Sequence, residues 1–165
     1  MAVAMRKQLL LIAFFVLALD RLTKSLVISH IPLYGAIDII PGIFRLTHLE
    51  NTGAAFSMFA DDPGPWPGRF LTWFSLAALV AISIVLWKTR NARTSIALAF
   101  ISGGTLGNLW DRLLRGKVTD FLDFYLGPHH WPPFNFADSA IVVGAVLLAV
   151  AVLPGKRDTA ERLKG

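Results

Sequence analysis

Apolar residues fall into four long runs separated by polar segments. Leu9 to Ile28 is long enough to cross a bilayer but is interrupted by Asp20, Arg21 and Lys24, whereas Phe70 to Trp87 carries no charge over 18 residues. As a helix the second run is about 27 Å long, the thickness of a hydrocarbon core. Ser95 to Trp110 is short unless it continues to Leu114, and Ala137 to Leu153 gives 17 residues beginning beside Asp138. The pattern predicts helices over about 8–28, 69–88, 94–113 and 137–154, with two long segments between them at about 29–68 and 115–136. In the first segment, Phe44, Leu46 and His48 alternate with Arg45, Thr47 and Leu49, the period-two pattern of a strand. The stretch DDPGPWPGR, residues 61–69, is turn-rich and places Trp66 where an interfacial anchor belongs, at the start of the second helix.

Composition changes the picture from helical to membrane-embedded. Of 165 residues, 55% are hydrophobic and 16% charged, with a mean hydropathy of +0.57, too apolar for a soluble core of this size. The chain reads as a single integral membrane domain over 1–165. The absence of cysteine excludes disulfides, thiolate metal sites and cysteine nucleophiles. The start, MAVAMRKQLLLIAFFVLAL, imitates a signal peptide, but no small-x-small cleavage site follows and apolar character resumes after Lys24, so a retained anchor is expected. The net charge of +5 does not imply nucleic acid, because the basic residues sit at helix ends. Arg6 and Lys7, then Lys88, Arg90 and Arg93, then Lys156, Arg157, Arg162 and Lys164 put nine of sixteen on one side. Both termini are therefore expected in the cytoplasm and both long segments outside.

Helical rise then sets depths. Asp20 lies thirteen residues beyond Lys7, about 20 Å along a helix, and so in the outer half of the membrane. Asn108, Asp111 and Arg112 arrive at the outer end of the third helix, Asp138 opens the fourth, and Asp120 and Asp123 occupy the connection between those ends. Ionisable groups at such depth are expensive and mark function unless paired. Asp20 and Lys24, spaced i,i+4, suit an internal ion pair better than catalysis. Asn108, Asp111, Arg112 and Arg115 suit a hydrated helix end as well as a site, and Asp138 taken alone suits an N-cap. A cap does not explain why Asp120 and Asp123 are tied to the same place. His129 and His130 lack an H-E-x-x-H pattern, Ser102 has no histidine in the predicted helices to activate it, and Gly103 to Gly107 has the spacing of close helix packing. A transporter or proton relay using Asp20, Asp120 and Asp138 is the alternative. It fits less well, because these carboxylates cluster at one level instead of lining a path.

Four blocks carry a family resemblance: ALDRLTK (18–24), ENTGAAFS (50–57), GGTLGNLWDRLLRGKVTDFLDF (103–124) and FNFADSAIVVG (134–144). They resemble, in order, the signature blocks of the bacterial lipoprotein signal peptidase, or signal peptidase II. The resemblance implies an all-α membrane protein, a four-transmembrane-helix bundle with a small extracytoplasmic β-cradle, in the bacterial inner membrane. The implied activity is that of an aspartic endopeptidase. It removes the signal peptide of a diacylglyceryl-modified prolipoprotein by cutting before the lipidated cysteine. Asp120 and Asp138 match the family's catalytic pair, and Asp123 falls on an accessory position. Asn51, Gly53, Asn108, Arg112 and Asn135 match its substrate-binding residues, while Asp20, Lys24, Asp111 and Asp123 are expected as supporting structure. The expected partners are the prolipoprotein, membrane lipids and a cyclic-peptide inhibitor of the globomycin type, with no nucleic acid, metal or cofactor. The chemistry agrees: two carboxylates sharing one proton supply an acid and a base at once.

Overall fold

The computed structural model describes residues 3–53 and 66–153. The basic cluster after residue 155 and the first half of the turn-rich 61–69 stretch lie outside the described residues. Among the described residues, four helices and four strands follow in the order α1 (Val3–His30), β1 (Ala36–Ile40), β2 (Phe44–Asn51), α2 (Trp66–Lys88), α3 (Ala92–Arg115), β3 (Val118–Leu126), β4 (His129–His130) and α4 (Phe136–Val152). The protein is mostly helical, with one small antiparallel sheet in the order β1-β2-β3-β4. Among the described residues only α2 is long and apolar enough to cross a membrane, and α4 is apolar but shorter. α1 and α3 carry the polar residues Asp20, Lys24, Asn108 and Asp111, yet all four side chains are buried.

Local signals fix the helix ends. α1 stops at His30, since Pro32 lacks an N–H and disfavours helical backbone at Ile31. α3 starts at Asn91, whose side chain accepts from the N–H groups of Arg93 and Thr94, and stops at Gly116 in the left-handed conformation, φ 71°. α3 is the centre of the packing, with α1, α2 and α4 against it. A Cβ added at Gly103 would lie 2.7 Å from Val16 Cβ of α1, and one at Gly104 would lie 2.9 Å from Ile141 Cγ1 of α4. Backbones approach that closely only where a side chain is missing.

The sheet departs from the predicted pattern in two ways. β2 pairs with β3 in the register Arg45↔Asp123 and Leu49↔Asp120, and the register shifts between Leu46 and Leu49. The alternation is broken there, and the neighbours Thr47 and His48 are both buried. The second departure is β3 itself, a nine-residue strand inside the 115–136 segment that was expected only as a connection. Its valine, threonine, phenylalanines and tyrosine are strand formers, and the two aspartates masked that signal. Val27, Ile31 and Phe121 form a buried cluster flanked by Leu46, Leu122 and Phe136, which seats the sheet on the ends of α1 and α4.

Candidate active site

Asn135 fixes the start of α4. Its backbone is extended, its side chain accepts the Asp138 N–H at 3.0 Å, and the Asp138 carboxylate accepts the Asn135 N–H at 3.1 Å. This reciprocal pair is a capping box. Asn135 is therefore the N-cap, and the reading of Asp138 as the cap is corrected: Phe136 already has helical backbone, so Asp138 stands three residues in.

The same asparagine links both aspartates. Its Nδ2 donates to Asp120 Oδ1 at 2.8 Å and to Asn108 Oδ1 at 3.2 Å. Asn108 Nδ2 donates to Asp138 Oδ1 at 2.7 Å, and Asn51 Nδ2 donates to Asp120 Oδ2 at 3.0 Å. Every oxygen of the two carboxylates thus receives an N–H. Asn51 is held by the Gly53 N–H, which donates to its Oδ1 at 2.8 Å. Gly53 has φ 111°, and a Cβ there would meet Leu71 Cδ1 at 2.9 Å, so glycine is required on both counts.

Asp120 is 4% exposed and Asp138 half-buried. Burial pushes the Asp120 carboxyl up to about 6, and the charge of Asp138 adds to the rise against the hydrogen bonds from Asn51 and Asn135. Arg112 acts electrostatically on Asp138 and Asp120, while its guanidinium donates no hydrogen bond among the described residues. A cavity of about 280 Å³ reaches Asp120 and is walled by Tyr34, Asn51, Thr52 and Pro133. Larger apolar hollows of about 500 and 450 Å³ lie along α2 and between α1, α2 and α3, but neither contains a carboxylate. Chemistry, not size, singles out the smaller cavity.

Behind this pair lies a buried ionic cluster. Lys24 Nζ is 3.0 Å from Asp20 Oδ2 and 2.9 Å from Asp111 Oδ2, and it donates to Asn108 Oδ1 at 3.0 Å. None of the three charged side chains is exposed. Arg115 Nη2 is 2.8 Å from Asp111 Oδ1, and Arg21 pairs with the same oxygen. Asp20 Oδ1 accepts the Ala137 N–H at 3.1 Å, so α1 grips the first turn of α4 next to Asp138.

Comparison with known proteins places the chain. The family model described as signal peptidase (SPase) II matches residues 12–154. The chain belongs to the signal peptidase II family. It is 42% identical over 152 residues to the lipoprotein signal peptidase of Solibacter usitatus, covering 91% of this chain and 93% of that one. It is 45% identical over 136 residues to that of Alteromonas mediterranea, covering 80% and 72%. A solved bacterial membrane enzyme superposes with a TM-score of 0.79 at 29% identity, over 94% of this chain and 91% of the other. This member of the signal peptidase II family is therefore an integral membrane protein and a peptidase.

The signal peptidase II fold separates Asp123 from the pair. Three residues beyond Asp120 on the same strand, it points to the opposite face. There it is 1% exposed, 2.7 Å from Arg45 Nε and 2.9 Å from His130 Nδ1. Sequence reasoning named Asp111 but missed both of its arginines. Arg115 carries an i,i+4 signal, whereas the Arg21 pairing crosses between helices and leaves no trace in spacing.

Proposed function

We propose that this signal peptidase II family member is an aspartic endopeptidase that removes the signal peptide from diacylglyceryl-modified prolipoproteins, with Asp120 and Asp138 as its catalytic pair. The observation that carries the reading is Asn135, hydrogen-bonded to both carboxylates at once. Such a pair cleaves an amide without a covalent intermediate, one carboxylate taking a proton from water while the other protonates the carbonyl oxygen. Asn51, Gly53, Asn108 and Asn135 hold the pair beside the peptide, and Arg112, which acts electrostatically on both aspartates, orients the substrate backbone. Asp20, Lys24, Asp111 and Asp123 act as struts.

All four helices span the membrane in this reading, as one domain. The polar groups of α1 and α3 turn inward, which supports spanning despite their low hydropathy. The sheet forms an extracytoplasmic cradle over the outer leaflet, consistent with the exposed Ile37, Ile39, Ile40 and Ile43 that a lipid surface would cover. Both termini are cytoplasmic, the lipidated cysteine approaches from the outer leaflet, and a cyclic peptide of the globomycin type would occupy the same cleft. Incubating the purified protein with a lipidated and an unlipidated prolipoprotein tests the reading. Cleavage of the lipidated form alone is expected. No cleavage of either by folded protein would return the transporter reading to favour.

A further inference from the structure

We infer that Lys24 is a positioning residue for the reaction: by occupying Asn108 Oδ1 it obliges Asn108 to aim Nδ2 at Asp138, and so makes Asp138 the general base and Asp120 the general acid. The inference rests on the two-aspartate reading above. A carboxamide has an acceptor side and a donor side, so whichever group takes one fixes the other. Each of three asparagines turns its NH₂ toward the carboxylates because a donor holds its oxygen. For Asn51 that donor is the Gly53 N–H, and for Asn135 it is the Asp138 N–H. For Asn108 it is the Lys24 ammonium at 3.0 Å, joined by the longer, neutral donor Asn135 Nδ2 at 3.2 Å. Only the third lock is a side chain, and only the third is charged.

The two aspartates are therefore treated differently. Asp138 receives an amide polarised by an ammonium ion, and its second donor is a backbone N–H at the start of α4, where the helix dipole favours negative charge. Asp120 receives two neutral side-chain amides, lies on a strand and is more deeply buried. The charges facing Lys24 are Asp20 from its own helix and Asp111 from α3, the latter shared with Arg21 and Arg115. Lys24 reaches Asp138 of α4 and Asp120 of β3 through Asn108 and Asn135.

The resulting sequence balances. Asp138 takes a proton from water as the water oxygen bonds to the scissile carbonyl carbon, and Asp120 gives its proton to the carbonyl oxygen. In the second step Asp138 passes its proton to the amide nitrogen as the C–N bond breaks. Asp120 recovers a proton from one hydroxyl of the diol, and the starting state returns.

The test is the pH profile of cleavage of a lipidated prolipoprotein by the double variant Asp20→Asn/Lys24→Met. It removes one anion and one cation together and keeps an acceptor for Ala137. Melting in detergent and pull-down of uncleaved substrate report folding. The double variant is expected to lose about ten- to a hundredfold in kcat with KM little changed. The acid limb of kcat/KM, which reports the base, is expected to move to higher pH. A folded double variant with parental kcat and parental acid limb would overturn the inference. If it fails to fold, Asn108→Leu decides, since it spares the ion pairs of Lys24: the same upward displacement supports the inference and an unmoved limb overturns it. Asp120→Asn and Asp138→Asn run alongside. Parental cleavage by either defeats the two-aspartate reading itself, a different failure from an unmoved limb with both of these dead.

Discussion

Replacing Asp20 by alanine removes one carboxylate from a set in which Asp20, Lys24 and Asp111 are all fully buried. Lys24 is left with Asp111, which already serves Arg21 and Arg115. Breaking a buried pair by deleting one partner costs about 3–5 kcal/mol, mostly through the stranded charge. The Ala137 N–H also loses its acceptor, and a buried donor left unpaired costs about 1–3 kcal/mol. Both losses come from one carboxylate and do not add in full, so about 4–6 kcal/mol is expected. At about 2–4 °C per kcal/mol for a chain of this size, the melting midpoint in detergent should fall by about 8–24 °C. Tryptophan fluorescence during a thermal ramp measures it. Asp20→Asn, which keeps an acceptor for Ala137, should fall less. An unchanged midpoint with abolished cleavage would refute the reasoning and move Asp20 from the frame to the reacting groups.

Asp120 gives a stability test with a defined sign. Its folded-state value of about 6 lies above the ordinary 3.8, so between these values the folded protein binds more protons than the unfolded one and stability falls as pH rises. At about 1.4 kcal/mol per unit, Asp120→Asn should be more stable than the parent by about 3 kcal/mol above pH 6, with the gain vanishing below pH 4. Equal melting midpoints at pH 7 would contradict this. Gly107→Ala would place a Cβ 2.9 Å from Asp20 Cγ. It should destabilise by about 1–3 kcal/mol and depress cleavage, whereas parental stability and cleavage together would show that the α1–α3 contact yields freely. Cleavage should survive strong chelators, because the carboxylate pair needs no metal, and loss of activity restored by zinc would contradict the proposed chemistry.

Much of this site was legible because helical rise is regular. Counting from Lys7 and Arg93 put Asp20, Asn108 and Asp111 at one level, the start of the fourth helix put Asp138 there too, and the structure joins all four through Lys24, Asn108 and the start of α4. The helices were legible in number, with one end at Lys88 as expected and the others displaced by up to five residues, because polar flanking residues such as Arg6 and Arg115 continue a helix beyond its apolar run. The sheet was half legible. β2 showed its alternation, while β3 hid behind two aspartates that point to opposite faces, one to the site and one to Arg45 and His130. The double duty of Asn135 was out of reach, although the N-x-x-D spacing of its capping box was readable. That one amide also bonds Asp120 depends on where β3 runs, and no local pattern records it.

The central claim is that Asp120 and Asp138 exchange protons with the substrate, and substitution of each by asparagine tests it most directly. Asparagine keeps the size and much of the hydrogen bonding but cannot act as acid or base. Cleavage of a lipidated prolipoprotein by purified Asp120→Asn, Asp138→Asn and Asp123→Asn is the measurement, with pull-down of uncleaved substrate as the folding control. The first two variants should bind substrate and fail to cut it. Asp123→Asn should keep appreciable turnover, since its carboxylate faces Arg45 and His130 on the other side of the strand. Cleavage near the parental rate by Asp120→Asn or Asp138→Asn would contradict the account.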